Sequence, residues 1–282
     1  MIKWLKEVGW RYAVVLLVCA FALFPVLFVV SAAINPLGTL GSTGLIPQGA
    51  SLKNFVDLLT GDHPYTRWFL NSVVIALISA FASLLISVAA AYAFSRMRFR
   101  GRRVGLLSIL LIQMFPQFLA IVAIFIVFTE VTELYPTFGF NEPWGLLVLY
   151  LGGALGVNTY LMKGYLDTVP KEIDESATMD GASHVQTFFR IILPLVGPVL
   201  AVTAMLSFIG TINEFLIANV FLRDTEAKTL AVGMYGMLTD KRDANFGMFA
   251  AATLLTAVPT VSLFLWLQKY IVSGLTAGAV KG

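Results

Sequence analysis

Residues 170–194 read PKEIDESATMDGASHVQTFFRIILP, a charged, turn-punctuated break between two long apolar runs. Pro170 followed by Glu172, Asp174 and Glu175 is a helix start. Proline suits a first turn, whose N–H groups have no intrahelical partner, and the acids face the positive end of the helix dipole. Gly181 can break that helix. Ser183, with Gln186 three residues on, makes a capping box for a second short helix, and Pro194 marks the entry to the next apolar run. The spacing predicts two short helices set crosswise as a rigid projecting knob. An ordinary amphipathic loop is the plainer alternative.

Outward from this break the chain alternates between uncharged runs and charged breaks. The runs are 12–34, 68–95, 104–129, 143–162, 244–268 and 191–222, the last interrupted only by Glu214. Crossing a hydrocarbon core of about 30 Å takes roughly 20 helical residues, and every run meets that length. Backbone groups in lipid must be satisfied within the segment, which leaves helices as the form for such runs. Transmembrane strands would be about 10 residues long and alternate in polarity, which these runs do not. Composition agrees: 58% of the 282 residues are hydrophobic and 12% are charged, against about a quarter charged in soluble domains. The first run, with Lys3, Lys6 and Arg11 before it and Ser31-Ala32-Ala33 at its end, has features of a signal peptide. Its 23 residues exceed an apolar signal core of about 7–15, so it is retained as a span.

The expected fold is therefore an all-α integral membrane protein. Its transmembrane domain, 12–270, holds six helices, at about 12–34, 68–95, 104–129, 143–162, 195–222 and 244–268. The knob loop occupies 166–194 and a second long break occupies 223–243; segments 1–11 and 271–282 flank the domain. With the N-terminus inside, the cytoplasmic breaks carry 13 Lys and Arg and the outer ones 6, the bias expected of an N-in/C-in protein. Trp4, Trp10, Trp68, Trp144 and Trp266 all fall within or near a span end, where an indole sits at the membrane interface.

The net charge of +3 thus belongs to topology and not to nucleic acid. No Gly-Lys dipeptide occurs, so the chain has no phosphate-binding loop and cannot itself be an ATPase of that type. H-E-x-x-H and G-x-S-x-G are absent, Cys19 is the one cysteine, and the two histidines, His63 and His184, fall in loops. No catalytic residue and no metal site is expected. Glu214, beside Asn213, is the one ionisable residue at membrane depth. Such a carboxylate costs about 3 kcal/mol and faces a bundle interior or a wet cavity. Asn213 and Glu214 are read either as pathway-lining groups or as interhelical glue. Gly152 and Gly156 have the spacing for close helix packing, and Pro25, Pro116 and Pro259 are expected to kink their spans.

Glu175-Ser176-Ala177, Gly181 and then Ile191-x-Leu193-Pro194 resemble the EAA loop of binding-protein-dependent ABC importer permeases. Ser176 stands where that family usually has alanine, a small-for-small change. Tyr150-Leu-Gly-Gly, Thr229-Leu-Ala-Val-Gly-Met and the ending from Gly274 to Gly282 are similar to the MalG branch of maltose-type importers. The resemblance implies a type I importer permease fold in the bacterial inner membrane, with the EAA loop docked on an ATPase subunit. It implies a second permease of the MalF type, a homodimeric ATPase that binds ATP and Mg, and an extracytoplasmic sugar-binding protein. Gly278 and Lys281 become candidates for ATPase contact by the tail. Maltose, maltodextrin, trehalose and related oligosaccharides are the cargoes implied.

Between spans five and six, 229–238 is an uncharged, mostly apolar run too short to span. An apolar segment outside the bilayer buries itself against something, and the family reading makes it a contact for the binding protein, through Leu230, Val232, Gly233 and Met234. A secondary transporter is the competing class. It would carry its own substrate site and usually an inverted repeat, which is not evident between the halves. Reporter fusions check the topology: those after Gly61 and Asp240 are expected outside, those after Arg100 and Ser183 inside. An outside signal at Ser183 overturns the orientation.

Overall fold

The computed structural model describes residues 8–279 apart from 40, 42, 43, 48 and 240–244, with the backbone alone at 117 and 271–279. Its helices are α1 (Trp10–Ile34), α2 (Lys53–Thr60), α3 (Tyr65–Arg96), α4 (Arg102–Met114), α5 (Gln117–Leu134), α6 (Pro143–Gly152) and α7 (Val157–Thr168). They continue with α8 (Glu172–Met179), α9 (His184–Thr187), α10 (Gly197–Ile212), α11 (Leu216–Phe221), α12 (Leu230–Thr239) and α13 (Phe246–Ala279). Short turns at Pro136–Phe138, Phe188–Ile192 and Leu193–Leu195 complete the elements, and no strand occurs among the described residues.

Among the described residues four stretches are long and apolar enough to cross a membrane, and the bent pairs α4–α5 and α6–α7 bring the number to six if each pair is one span. The third and fourth runs therefore differ from the expected single helices. Pro116 parts α4 from α5: it has no N–H to donate and forces Phe115, at ψ 127°, into an extended conformation. α6 and α7 meet at a 49° bend. Gly152 and Gly156 consequently share no helix face, which corrects the packing motif expected there. A Cβ on Gly152 would meet nothing, whereas one on Gly156 would lie 2.4 Å from Gln113 Nε2, so Gly156 serves close approach at the break. Ser87 Oγ donates to the Ala154 carbonyl in that break at 2.7 Å.

Pro25 and Pro259 lie within continuous helices. Two further expectations are adjusted. His184 opens α9 and is not in a loop. The last helix continues to Ala279, through most of the segment read as a tail.

The chain divides into two compact units, 1–66 with 233–258 and 67–232 with 259–282. In the first, α1 buries only Ser31, Ala32 and Ala33, at its C-terminal end. That end is held by Asn54, whose amide donates to the carbonyls of Ala33 at 2.9 Å and Asn35 at 2.8 Å. Gly247 leaves room for it: a Cβ there would lie 2.5 Å from Asn54 Nδ2. Tyr65 completes the unit by donating its hydroxyl to Ala252 O at 3.1 Å.

In the second unit α3 is the spine. Its Val88, Ala91 and Tyr92 pack with Met162 and Leu166 of α7 and with Phe188, Ile192, Val196 and Val199. Ala76 and Ala80 meet Phe208 and Ile212 of α10. Ile75 joins Leu146, Ala218, Leu222 and Val232.

Replacing Asn54 by Ala strands two buried carbonyls. Each lost bond to a buried group costs about 1–3 kcal/mol. The melting temperature of purified protein carrying Asn54→Ala is expected to fall, and an unchanged value would show that this amide does not hold the end of α1.

Candidate functional site

The knob forms as its sequence dictates. α8 carries Glu172, Asp174 and Glu175 in its first turn. It ends at Gly181, where φ is +80°, with Ala182 N donating to Ala177 O at 2.9 Å and Gly181 N to Thr178 O at 3.0 Å. This is the six-to-one and five-to-two bonding of a left-handed C-terminal cap, a conformation that favours glycine. A Cβ on Gly181 would meet no atom within 4 Å, so conformation and not room fixes the residue. α9 then starts with both halves of the capping box: Ser183 N donates to Gln186 Oε1 at 2.8 Å, and Gln186 N to Ser183 Oγ at 3.3 Å. A wide turn at Phe188–Ile192 and the Pro194 step lead into α10.

One side of the knob is fastened to the spans. Ile173, Phe188, Ile192 and Leu193 pack into the cluster built by α3 and α7, with the rings of Tyr92 and Phe188 5.0 Å apart. Arg96, at the end of α3, places Nε 2.9 Å from Asp174 Oδ2, with the two side chains 7% and 19% exposed. The pair is an ion contact without the alignment of a hydrogen bond. Arg96 also donates to Val169 O at 2.7 Å, and Ser95 Oγ to Asp167 Oδ1 at 2.6 Å. A buried ion pair is weak grounds for net stability, but removing one partner strands the other at about 3–5 kcal/mol.

The opposite side is open. Glu175 and Ser176 are exposed, as are Met179 (89%), Val185 (65%) and Phe189 (55%). Of the residues singled out from the sequence, Ala177 is buried, Ile191 and Leu193 are half-buried and Pro194 is exposed. The Arg96–Asp174 pair was not foreseen, because Asp174 reads as a helix-start acid and Arg96 as a topology charge. No short-range signal joins them.

At the other end of α3 a second array ties down residues 223–229. Trp68 Nε1 donates to Thr225 O at 2.6 Å, and the Asn71 amide reaches the carbonyls of Glu226, Ala227 and Lys228 at 3.0, 3.3 and 3.1 Å. Leu230 N donates to Ser72 Oγ at 2.7 Å, and Arg67 pairs with Glu226. Asn141, left-handed at φ 63°, accepts the N–H groups of Arg223 and Asp224 at 2.6 and 3.0 Å. A cleft of about 630 Å³ lies here, lined by Arg67, Asn71, Asn141, Asp224 and Glu226 among others. None of these residues was a sequence candidate; left-handed Asn141 is the kind a turn reading can find.

The loop holds the start of α12. Leu230 and Val232 are 1% and 4% exposed and Gly233 is buried, so three of the four residues expected to meet a partner are packed into their own chain. The reason is register: α12 turns Val232 toward Ile75, Leu146 and Leu222. Met234 is half-buried against Thr256, and the exposed positions of α12 include Tyr235 and Leu238.

Glu214 lies in the gap between α10 and α11. Its carboxylate accepts the N–H groups of Ile217 at 2.8 Å and Ala218 at 3.0 Å and the Tyr150 hydroxyl at 2.7 Å. It caps α11 and joins it to α6. Asn213, beside it, is exposed and donates to Ile209 O. Of the tail candidates, Gly278 falls in the last turn of α13 and Lys281 lies outside the described residues.

The chain aligns with known proteins over nearly its whole length. The chain is 41% identical to the galactooligosaccharides transport system permease protein GanQ of Bacillus subtilis, covering 96% of this chain and 94% of that protein. It is 38% identical to the maltose/maltodextrin transport system permease protein MalG of Yersinia pestis, over 95% of this chain and 92% of the relative. Among solved structures, a chain of a bacterial ABC transporter involved in alginate import shares the fold with a TM-score of 0.77 at 24% identity, over 94% of this chain and 97% of that one. Residues 82–276 match the family described as binding-protein-dependent transport system inner membrane component, and to that family the chain belongs.

Proposed function

We infer that this chain is one of two membrane subunits of an ATP-driven oligosaccharide importer, with both termini and the knob in the cytoplasm and 223–243 outside. The observation that carries this is the two-sided knob. A side fastened by Arg96–Asp174 and the Phe188 cluster transmits movement to α3 and α7, and a side bearing Glu175, Met179, Val185 and Phe189 offers an ATPase subunit an apolar patch with a charged edge. Exposed apolar groups on an otherwise polar projection mark a protein contact. ATP and Mg then bind to that partner, and this chain carries no hydrolytic role. The family match leaves the secondary-transporter alternative without support.

The partners follow from the same reading: a second permease of the MalF type, a pair of ATPase subunits, and an extracytoplasmic binding protein that meets α12. Burial of Leu230 and Val232 shifts that contact to the exposed residues of α12, Tyr235 and Leu238. The names of the relatives support an oligosaccharide cargo of the maltodextrin or galactooligosaccharide kind. Glu214, engaged in capping α11, serves the shape of the pathway wall.

Two experiments test this. Gly181→Asp forces a side chain into a left-handed conformation and Glu175→Lys reverses charge at a helix start; both are expected to insert normally, to lose sugar uptake and to co-purify less ATPase. Normal uptake in both variants removes the knob from the coupling role. Tyr235→Asp is expected to lower binding-protein-stimulated ATPase activity several-fold with assembly intact, and unchanged stimulation would return α12 to simple packing. Calorimetry of maltodextrins and galactooligosaccharides on the cognate binding protein identifies the cargo.

A further inference from the structure

The turn between α3 and α4 holds five arginines in eight residues, Arg96, Arg98, Arg100, Arg102 and Arg103, and no lysine. Arg96 is committed to Asp174 and Val169, and Arg102 reaches back to Ser95 O at 3.4 Å. Arg98, Arg100 and Arg103 are exposed and make no hydrogen bond or ion pair among the described residues. Arg98, Arg102 and Arg103, with Phe99 and Val104, line an open cleft of about 390 Å³. The charge is also badly placed for the chain alone. Gly101 turns the backbone at φ +88°, and α4 opens with two arginines, no acid in its first turn and no side-chain cap. Cations at the positive end of a helix repel it until an anion joins them.

We propose that this cleft binds the phosphodiester headgroup of an anionic phospholipid. Guanidinium groups match phosphate oxygens in bidentate fashion, which ammonium groups do not. A basic cluster next to a span is attracted to anionic lipid. An apolar face that a free phosphate could not use leads away from the cleft: Val104 lines it, and Val104, Leu107 and Leu111, 67%, 57% and 65% exposed, share one face of α4 immediately beyond the arginines. Acyl chains lie along that face while the headgroup meets Arg98, Arg102 and Arg103. The positive-inside bias explains why arginines occur on this side. It does not explain a cleft that gathers three of them around an uncapped helix start.

The test is native mass spectrometry of the chain purified with its partner subunits, titrated separately with phosphatidylglycerol, phosphatidylcholine and inorganic phosphate. Phosphatidylglycerol is expected to bind more tightly than phosphatidylcholine, with a loss of about fivefold in affinity for each guanidinium removed in Arg98→Gln/Arg103→Gln. Arg98→Lys/Arg103→Lys keeps the charge and is expected to fall between the two. If the double Gln variant does not insert, Arg103→Gln alone is read the same way. Wild-type phosphatidylglycerol affinity in the Gln variants overturns the proposal. So does displacement of the lipid by inorganic phosphate, which would mark a small-anion site. Unchanged lipid binding with loss of the ATPase subunit on purification would assign the arginines to that protein and overturn it equally. The sample takes its partner subunits from the transport reading, but the readout is lipid binding and not uptake, so failure of the one is distinguishable from failure of the other.

Discussion

Where a helix is interrupted its end groups lose their partners, which hydrocarbon cannot replace, and at several breaks and ends among the described residues a side chain closes the gap. An unsatisfied amide in lipid costs several kcal/mol. Glu214 takes the first N–H groups of α11, and Ser87 takes the Ala154 carbonyl where α6 gives way to α7. Asn54 takes the carbonyls at the end of α1, and Arg96 that of Val169 beyond α7. The breaks between α6 and α7 and between α10 and α11 are therefore specified features, each with a polar residue opposite it. Glu214 illustrates how this changes a reading. A carboxylate in a span suggests transport chemistry, yet here all its hydrogen bonds serve local architecture.

α3 concentrates these ties. From Trp68 to Ser72 it anchors the residues leading into α12, and from Tyr92 to Arg96 it anchors the knob. Between these ends it contributes small residues, Ala76, Ala80 and Ala91, to two buried clusters. Small side chains let neighbouring backbones approach closely, the principal source of packing energy where lipid is as apolar as the helices. A residue such as Ala80 thus matters through what it lacks.

Much of this was legible in the sequence. Run lengths marked the long apolar helices, and Pro170, Gly181 and the Ser183–Gln186 pair marked the two short helices with their caps, because those signals are local. The bends were less visible. Pro116 was read as a kink and parts two helices, since proline alone does not say how far the chain swings. The Gly152–Gly156 spacing misled because the pattern presumes an unbroken helix. Arg96–Asp174 and Asn71 with residues 226–228 were invisible for another reason: they join positions about 80 to 160 apart in sequence, and polarity alone does not choose a partner. In the 229–238 run hydrophobicity was recognised, but which face turns inward depends on helix register.

α1 has a different relation to its own chain. It is fixed near its end, through Ser31, Ala32 and Ala33 and the packing of Phe28 on Phe246, while Leu16, Leu17 and Phe21 are exposed. A rod tethered at one tip and bathed in solvent of its own polarity can swing without sacrificing native contacts. Exchange of lipid for a similarly apolar protein surface along that rod is nearly neutral enthalpically, so shape and timing decide what it meets. The first helix is thereby left with a long apolar face that lipid or a neighbouring protein can cover on nearly equal terms.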